Sequence, residues 1–228
     1  MKIVFLNTWS GKRRKVLVDY IKQQARDTDV FCFQEATDEM KQLTQDTLSH
    51  YRELSDFKYF SDEDNFPQSL FIRKGIEVLS FGTLMAGQAD CGLAIYTEIK
   101  VENGSIYICN VHGKAQPGDK LDDDGRLKQS QDIIDFFKDK HVPIIIGGDF
   151  NILPDTKSIQ MFKHHGYRNL IEEFNIDTTR NHLAWDRFPT KMYYSDYVFL
   201  NEAVTLKRFA VVKNEVSDHL PMLLEIEA

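Results

Sequence analysis

Short apolar runs alternate with amphipathic segments along most of this chain. Residues 3–6 and 29–34 are brief runs rich in β-branched and aromatic side chains, a pattern typical of buried strands. Between them, residues 15–24 place several apolar side chains on one face of a helix, namely Val16, Leu17, Tyr20 and Ile21. This alternation of strand and helix predicts an α/β fold.

The same alternation continues to the end of the chain. Further helices are predicted at residues 37–46, 127–140 and 158–165. Further strands are predicted at residues 69–73, 77–81, 92–97, 105–111, 142–146, 193–200, 206–212 and 221–226. A polar loop spans residues 113–125, and no serine- or proline-rich linker divides the sequence. We therefore expect a single domain over residues 1–228.

The two halves of the sequence show the same order of features. The first half runs from a strand to Asn7, a helix, and a strand that ends at Glu35. The second half runs from a strand to His112, a helix, and a strand that ends at Asp149. Two such units that face each other would form a two-sheet sandwich with one site between the sheets.

Composition and charge narrow the classes of function. The chain has 228 residues, of which 42% are hydrophobic and 28% charged, which is ordinary for a soluble globular protein. Its net charge of −7 argues against tight, sequence-independent binding of nucleic acid through a basic face. It does not argue against an enzyme whose acidic site is neutralised by a divalent cation.

Cysteine usage and hydropathy indicate the compartment. Cys32, Cys91 and Cys109 lie in apolar contexts without metal-ligand spacing, so we expect buried free thiols in a reducing cytoplasm. No apolar stretch is long enough to cross a bilayer, and the first residues lack the apolar core of a signal peptide. We expect a cytoplasmic protein with no membrane segment and no obligate protein partner.

The apolar run at residues 142–146 leads into Gly147-Gly148-Asp149-Phe150-Asn151. Ligands of α/β proteins gather beyond the carboxyl ends of strands, and glycine lets a ligand approach the backbone closely. This segment therefore predicts a site, although an acidic turn after a strand is an equal alternative for the segment taken alone.

Eight polar residues stand at or beside the ends of predicted strands. A charged group in such a position is costly unless it is paired or binds a cation. Four carboxylates, two amides and two histidines suit a hard cation and a phosphate, because Mg²⁺ prefers oxygen ligands and shares them with phosphate. The eight are Asn7, Glu35, His112, Asp149, Asn151, Asp196, Asp218 and His219.

The motifs around these residues resemble those of one family. They are Leu6-Asn7, Gln34-Glu35, Asn110-Val111-His112, Gly148-Asp149-Phe150-Asn151, Ser195-Asp196-Tyr197 and Ser217-Asp218-His219-x-Pro221. The ordered series resembles the endonuclease/exonuclease/phosphatase superfamily, which includes deoxyribonuclease I, abasic-site endonucleases, neutral sphingomyelinases, inositol polyphosphate 5-phosphatases and tyrosyl-DNA phosphodiesterases. The resemblance covers nearly the whole chain. It implies a four-layer α/β sandwich, with two mostly antiparallel sheets packed face to face and helices outside.

The resemblance also implies where a metal binds and which residues handle water. Glu35 matches the principal metal-ligand glutamate, and Asn7 and Asp218 match supporting ligands. The implied ion is Mg²⁺, with Mn²⁺ as a substitute. Asp149 matches the residue that orients or deprotonates the attacking water, and Asn151 matches the amide that holds the water or the phosphate.

The two histidines match residues on the phosphate side of the family's site. His219 matches a histidine that contacts a non-bridging phosphate oxygen, and Asp196 matches its carboxylate partner. His112 matches a second histidine that stabilises or protonates the leaving group. The abasic-endonuclease branch carries a tyrosine at the position of His112 and an aspartate at that of Trp9, so a dedicated abasic-site enzyme is less expected. The carboxylate partner of His112 and the number of metal ions stay open.

Candidate substrate contacts lie in loops. Arg13 and Arg14 belong to a basic segment after Asn7, for which a solvated charged turn is the alternative. Arginines interleaved with aromatic residues suit phosphate contact and base stacking, or else pack a surface loop, at Arg180, Trp185 and Arg187. Arg126, in an Arg-x-x-Gln pattern associated with the family, is a candidate for phosphate contact or for bracing its loop.

Three functions follow in order of expectation. The first is a Mg²⁺-dependent phosphodiesterase that cleaves DNA or RNA by in-line attack of water. The second is a phosphatase or phosphodiesterase that acts on small phosphorylated metabolites or on inositol or lipid headgroups. The third is a catalytically silent interaction protein, which the full set of candidate catalytic residues argues against.

Overall fold

The computed structural model describes residues 1–57, 67–185 and 191–228. The strands, in chain order, are β1 (Lys2–Asn7), β2 (Val30–Gln34), β3 (Tyr51–Asp56), β4 (Gln68–Arg73), β5 (Val78–Leu84), β6 (Leu93–Val101), β7 (Gly104–His112), β8 (Ile144–Asp149), β9 (Arg168–Asn169), β10 (Asp196–Leu200), β11 (Leu206–Val211) and β12 (Met222–Ile226). The helices are α1 (Arg14–Gln24), α2 (Asp38–Thr44), α3 (Asp124–Phe137), α4 (Lys157–His164), α5 (Leu170–Glu173) and α6 (His182–Trp185).

The strands form two six-stranded sheets. The first has the order β11-β12-β1-β2-β4-β3, and the second has the order β5-β6-β7-β8-β10-β9. Within each sheet one neighbouring pair is parallel, β1 with β2 and β7 with β8, and the other pairs are antiparallel. The parallel pairs are the strand–helix–strand units predicted from the two halves of the sequence, joined through α1 and α3.

Alternate side chains of the central strands serve two different cores. In β1, Ile3 and Phe5 enter the core between the sheets, whereas Val4 and Leu6 pack on the other face against residues of α1 such as Leu17. Because β1 is buried on both faces, its sequence is a continuous apolar run. The predicted four-layer α/β sandwich, two mostly antiparallel sheets with outer helices, is confirmed.

Several features differ from the sequence prediction, and the short elements β9, α5 and α6 were not predicted. Strand β3 was not predicted because it is an edge strand, paired only with β4 in the described part of the chain, and its exposed positions carry polar residues such as Arg52 and Glu53. The strand predicted at residues 193–200 begins only at Asp196.

Among the described residues, no helix is both long and apolar enough to span a bilayer.

Gly147 and Gly148 are required by the packing of β8. A β-carbon on Gly147 would lie 2.8 Å from the Phe5 ring of the opposite sheet, and one on Gly148 would lie 2.3 Å from the carbonyl oxygen of Val111. Gly148 also has φ of +130°, which other residues rarely adopt. The prediction that these glycines admit a ligand therefore needs correction, since they admit neighbouring protein groups.

Candidate active site

The site lies where the two strand–helix–strand units end. Asn7 closes β1, Glu35 directly follows β2, His112 closes β7 and Asp149 closes β8. In the second sheet Asp149 is paired in register with His112 on one side and with Asp196 on the other. The β-ladder thus places three ionisable side chains next to one another at a single edge, as the sequence predicted.

Asp149 is the most highly connected residue of this edge. Its Oδ2 accepts a hydrogen bond from Asn7 Nδ2 at 3.0 Å, and its Oδ1 accepts one from the Asn151 backbone N–H at 3.0 Å and another from the Ser195 hydroxyl. Burial alone would raise the pKa of Asp149, but the charges of His219 and Lys120 outweigh it and hold that pKa well below its usual range. Asp149 is therefore a buried, ionised carboxylate.

Asn7 joins the two sheets at the site. Its Nδ2 donates to Asp149 and also to Glu35 Oε1 at 3.1 Å, while its Oδ1 accepts a hydrogen bond from the backbone N–H of Trp9. Glu35 accepts a further hydrogen bond from the Ser10 hydroxyl at 3.0 Å. Glu35 is only half-buried and has φ of +51°, an uncommon conformation that is often found at functional sites.

The pKa values of the two histidines shift in opposite directions. His219 Nδ1 lies 2.9 Å from Asp196 Oδ2, and its Nε2 lies 3.7 Å from Asp149 Oδ2. Burial would lower the pKa of His219, but Asp196 and Asp149 raise it above its usual value. His112 Nε2 lies 4.0 Å from Asp149 Oδ2, and there burial dominates and lowers the pKa of His112. The two shifts therefore favour the charged form of His219 and the neutral form of His112.

Lys120 completes the site and was not predicted. It belongs to the polar loop before α3, is only 6% exposed, and donates to Asn151 Oδ1 at 2.9 Å and to Ser195 Oγ at 2.6 Å. Burial lowers the pKa of Lys120 to about 8, although Asp149 acts in the opposite direction. No periodicity marks Lys120 in the sequence, because a loop residue carries no signal of burial.

Arg180 contacts the site through Asp218. Its Nη2 donates to Asp218 Oδ2 at 2.8 Å, and its backbone forms a bridge with that of His219. Both Arg180 and Asp218 lie largely within the protein, so this ion pair is shielded from water.

Sequence comparison identifies the family to which this arrangement belongs. The model of the Endonuclease/Exonuclease/phosphatase family matches residues 4–219. The chain belongs to this family. Members of the endonuclease/exonuclease/phosphatase family are hydrolases that act on phosphoric esters. Among curated protein sequences, none matches this chain significantly.

Solved structures share the fold over nearly the full length. An endonuclease/exonuclease/phosphatase from Bacteroides vulgatus has a TM-score of 0.79 at 19% identity, with 99% of this chain and 98% of that chain covered. The mannosyl-6-phosphatase of Bacteroides thetaiotaomicron has a TM-score of 0.75 at 17% identity, with both chains covered completely. D. rerio TDP2, complexed with single strand DNA product, has a TM-score of 0.75 at 16% identity and coverage of 100% and 99%.

The charges of the site fit a divalent cation of the kind that the endonuclease/exonuclease/phosphatase family uses. Four carboxyl groups, those of Glu35, Asp149, Asp196 and Asp218, lie near three basic groups, those of Lys120, Arg180 and His219, so the acidic groups outnumber the basic ones by one. Ligand atoms of Asp149, Asp196 and His219 lie within 4.8 Å of one another and could hold a metal ion. Within this group, His219 Nδ1 already contacts both oxygens of Asp196.

Four further residues were predicted to contact substrate, and the structure describes three of them. Arg13 and Arg14 lie at the surface in ion pairs with Glu215 and Glu39. Trp185 is half-buried in α6, with its ring 5.2 Å from that of Tyr193. Arg187 lies outside the described residues.

Arg126 has the second of its two predicted roles. Its side chain is fully buried, and it donates to the carbonyl oxygens of Leu121 at 2.6 Å and of Pro117, and to Asp119 Oδ1 at 3.3 Å. These contacts all lie in the loop before α3. The prediction that Arg126 contacts phosphate therefore needs correction, because a guanidinium without exposed surface cannot reach a substrate. Arg126 braces this loop instead.

Proposed function

We propose that this protein is a Mg²⁺-dependent phosphodiesterase that cleaves nucleic acid by in-line attack of water. The observation that carries the proposal is the environment of Asp149. This ionised carboxylate lies between the Asn7–Glu35 pair, at the ends of β1 and β2, and the pair formed by Asp196 of β10 and His219, which precedes β12. A base, a cationic donor and a hard-ligand group therefore converge on one point, as phosphate-ester hydrolysis requires.

Glu35, Asn7 and Asp218 would hold the metal ion. When bound, Mg²⁺ or Mn²⁺ would neutralise charge on the phosphate and on the leaving oxygen. Glu35 is suited to this role because its carboxylate is accessible and its two oxygens are oriented by Asn7 and Ser10. Asp218 is oriented in turn by Arg180.

Asp149 and Asn151 act on the attacking water. Because its pKa is low, Asp149 is ionised across the neutral range and is a weak base, which favours a role in orienting the water. The water oxygen forms a bond to phosphorus while the bond to the leaving oxygen breaks. Because the attacking water becomes acidic only as the new bond forms, its proton passes to Asp149 late in the attack and on to solvent, and solvent supplies the proton that the leaving oxygen takes up. The side chain of Asn151 is held in place because its Nδ2 donates to the carbonyl oxygen of Gly113 at 3.1 Å.

The histidines act on the phosphate from opposite sides of Asp149. Charged His219 donates from Nε2 to a non-bridging phosphate oxygen, because its Nδ1 is held by Asp196. Neutral His112 lies on the β7 side and donates a hydrogen bond to the leaving oxygen. This division of roles agrees with the opposite pKa shifts of the two rings.

Nucleic acid is the favoured substrate class, and a small phosphoester is the second candidate. The likeness to D. rerio TDP2 with its single strand DNA product, and the arginine and tryptophan of the segment Arg180–Trp185, support the first. The equally complete match to a mannosyl-6-phosphatase and the net charge of −7 support the second. In either case the chain would act as a single domain, since the site takes residues from both sheets.

Cys32, Cys91 and Cys109 are buried cysteines, which suits a cytoplasmic location, and we also propose that location. The substrate classes are separated by two assays under the same Mg²⁺ concentration, nicking of supercoiled plasmid and release of phosphate from sugar phosphates. Nicking that EDTA stops would establish nuclease activity. Phosphate release without nicking would replace the nuclease proposal with the second candidate.

A further inference from the structure

Burial of the Lys120 side chain removes a charged ammonium group from water, which costs free energy. Its ammonium group lies within the protein beside Asp149, and its backbone has φ of +57°, in the left-handed region that side-chain-bearing residues rarely adopt. Buried lysines and strained residues both lower stability, and they are retained mainly where the surrounding structure uses them.

The ammonium group connects the two residues that flank Asp149. One hydrogen bond goes to Asn151 Oδ1, and the Asn151 backbone N–H in turn donates to Asp149 Oδ1. The other goes to Ser195 Oγ, and the Ser195 hydroxyl donates to the same Asp149 oxygen. Lys120 is thus linked to Asp149 by two separate hydrogen-bond paths, each of which passes through one other residue.

The paths also fix the directions of the hydrogen bonds. Because an ammonium group only donates, Ser195 Oγ must accept from Lys120 and is left to donate its proton to Asp149. For the same reason Asn151 must present its oxygen to Lys120 and its Nδ2 to Gly113. A neutral side chain at position 120 would remove both constraints.

The loop that carries Lys120 is anchored at both of its sides. The carbonyl oxygen of Lys120 accepts a hydrogen bond from the backbone N–H of Leu153, just after Asn151. On the other side, buried Arg126 binds carbonyl oxygens of the same loop. The backbone at Lys120 is therefore held in place independently of the contacts that its ammonium group makes with Ser195 and Asn151.

We propose that Lys120 is a positioning residue, which sets the orientation of Asp149 and Asn151 for attack on the phosphate. The inference rests on the proposed function for its catalytic consequence, but not for its structural one. Lys120 touches neither water nor substrate in this account, so it acts on the chemical step through Ser195 and Asn151.

The test compares Lys120→Met, Ser195→Ala and the double variant with the wild type, and uses Lys128→Met, an exposed lysine of α3, as the matched control. We expect Lys120→Met to lower kcat at least thirtyfold with KM changed less than threefold, and Ser195→Ala to lower kcat about tenfold. The double variant should be slower than Lys120→Met by clearly less than tenfold, because Lys120 acts on Asp149 in part through Ser195. A folded Lys120→Met with normal kcat, or additive effects, would overturn the proposal.

A crystal structure of Lys120→Met separates this inference from the proposed function. We expect the Asn151 amide and the Asp149 carboxylate to turn from their wild-type orientations, whether or not a substrate has been found. Unchanged orientations of both groups would overturn the inference even in an active enzyme. If Lys120→Met does not fold, the structure and kcat of Ser195→Ala decide in its place, and normal values of both would contradict the proposal.

Discussion

His219 Nδ1 lies 2.9 Å from Asp196 Oδ2, in a pair that is closed to solvent on both sides. The carboxylate fixes the ring so that Nε2 faces Asp149 at 3.7 Å, and it raises the pKa of the imidazole. Without Asp196 the pKa of the ring would fall, since burial lowers it and the main group that raises it would be gone. The charge available to a phosphate oxygen therefore depends on Asp196.

Replacement of Asp196 by asparagine tests this dependence. We predict that Asp196→Asn lowers kcat by about 10²-fold, because a charge-stabilising donor becomes neutral, and that the protein stays folded. His219→Ala should lower kcat at least as far. Steady-state kinetics and circular dichroism check both variants, with His165→Ala, an exposed histidine after α4, as control. Full activity in folded Asp196→Asn would exclude the charged-histidine role.

The pH dependence follows from the same pair. The raised pKa of His219 means that the ring stays protonated above the usual titration range of histidine and loses its charge as pH rises through that raised value. Activity should therefore fall on the basic side of a pH–kcat profile. In Asp196→Asn this basic limb should move to lower pH. A limb that stays in place would show that another group controls it.

Glu35 should control the metal requirement. We predict that Glu35→Gln raises the Mg²⁺ concentration for half-maximal activity tenfold or more, because an anionic ligand is replaced by a neutral one of the same shape. A Mg²⁺ titration of activity measures the effect. Glu172→Gln, at an exposed ion pair remote from the site, is the matched control. Equal Mg²⁺ requirements for Glu35→Gln and the wild type would remove Glu35 as the principal ligand.

The free energy of unfolding should depend on pH in a way that reflects the burial of Lys120. The pKa of Lys120 falls from 10.5 to about 8 on folding. At pH values between these two, the unfolded chain therefore holds a proton on Lys120 that the folded chain lacks. The Lys120 contribution to the free energy of unfolding therefore rises with pH across this window, by at most about 3 kcal/mol. Lys120→Met removes this contribution.

Urea unfolding of the wild type and Lys120→Met at pH 7 and pH 10, in EDTA, measures the difference. We expect the stability of the wild type relative to Lys120→Met to increase between the two pH values. A relative decrease would mean that the lysine is stabilised in its charged form, with a pKa raised rather than lowered by the fold.

Arg180 is predicted to matter more than the surface arginines. Arg180→Ala should raise KM about tenfold and weaken Mg²⁺ binding, because it leaves largely buried Asp218 without its partner. Arg13→Ala should change KM less than twofold, since Arg13 pairs with Glu215 at the surface. Parallel kinetics of the two variants check the contrast, and equal effects would contradict it.

The strand ends could be predicted from the sequence because they follow apolar runs. Asn7, Glu35, His112 and Asp149 each stand directly after such a run, so the pattern alone placed them at one edge, and the family resemblance supplied their order. The two parallel crossovers followed from the same pattern. Strand β3 could not be predicted, because an exposed edge strand carries polar residues and lacks the apolar signal.

The partners of these residues could not be predicted, because they come from loops. Nothing local distinguishes buried Lys120 from half-buried Lys114 in the same loop, or buried Arg126 from exposed Arg14. Their burial results from packing against segments far away in sequence, such as the turn after β8. Hydropathy would place all four at the surface, since charged side chains are seldom buried without partners.

The central claim is that Asp149, with a divalent cation, drives hydrolysis of a phosphoric ester. The most direct test is the rate of Mg²⁺-dependent cleavage of supercoiled plasmid and of bis(4-nitrophenyl) phosphate by the wild type and by Asp149→Asn. We predict measurable wild-type rates that EDTA abolishes, and rates at least about 10²-fold lower in folded Asp149→Asn. A folded Asp149→Asn that cleaves either substrate at the wild-type rate would contradict the account.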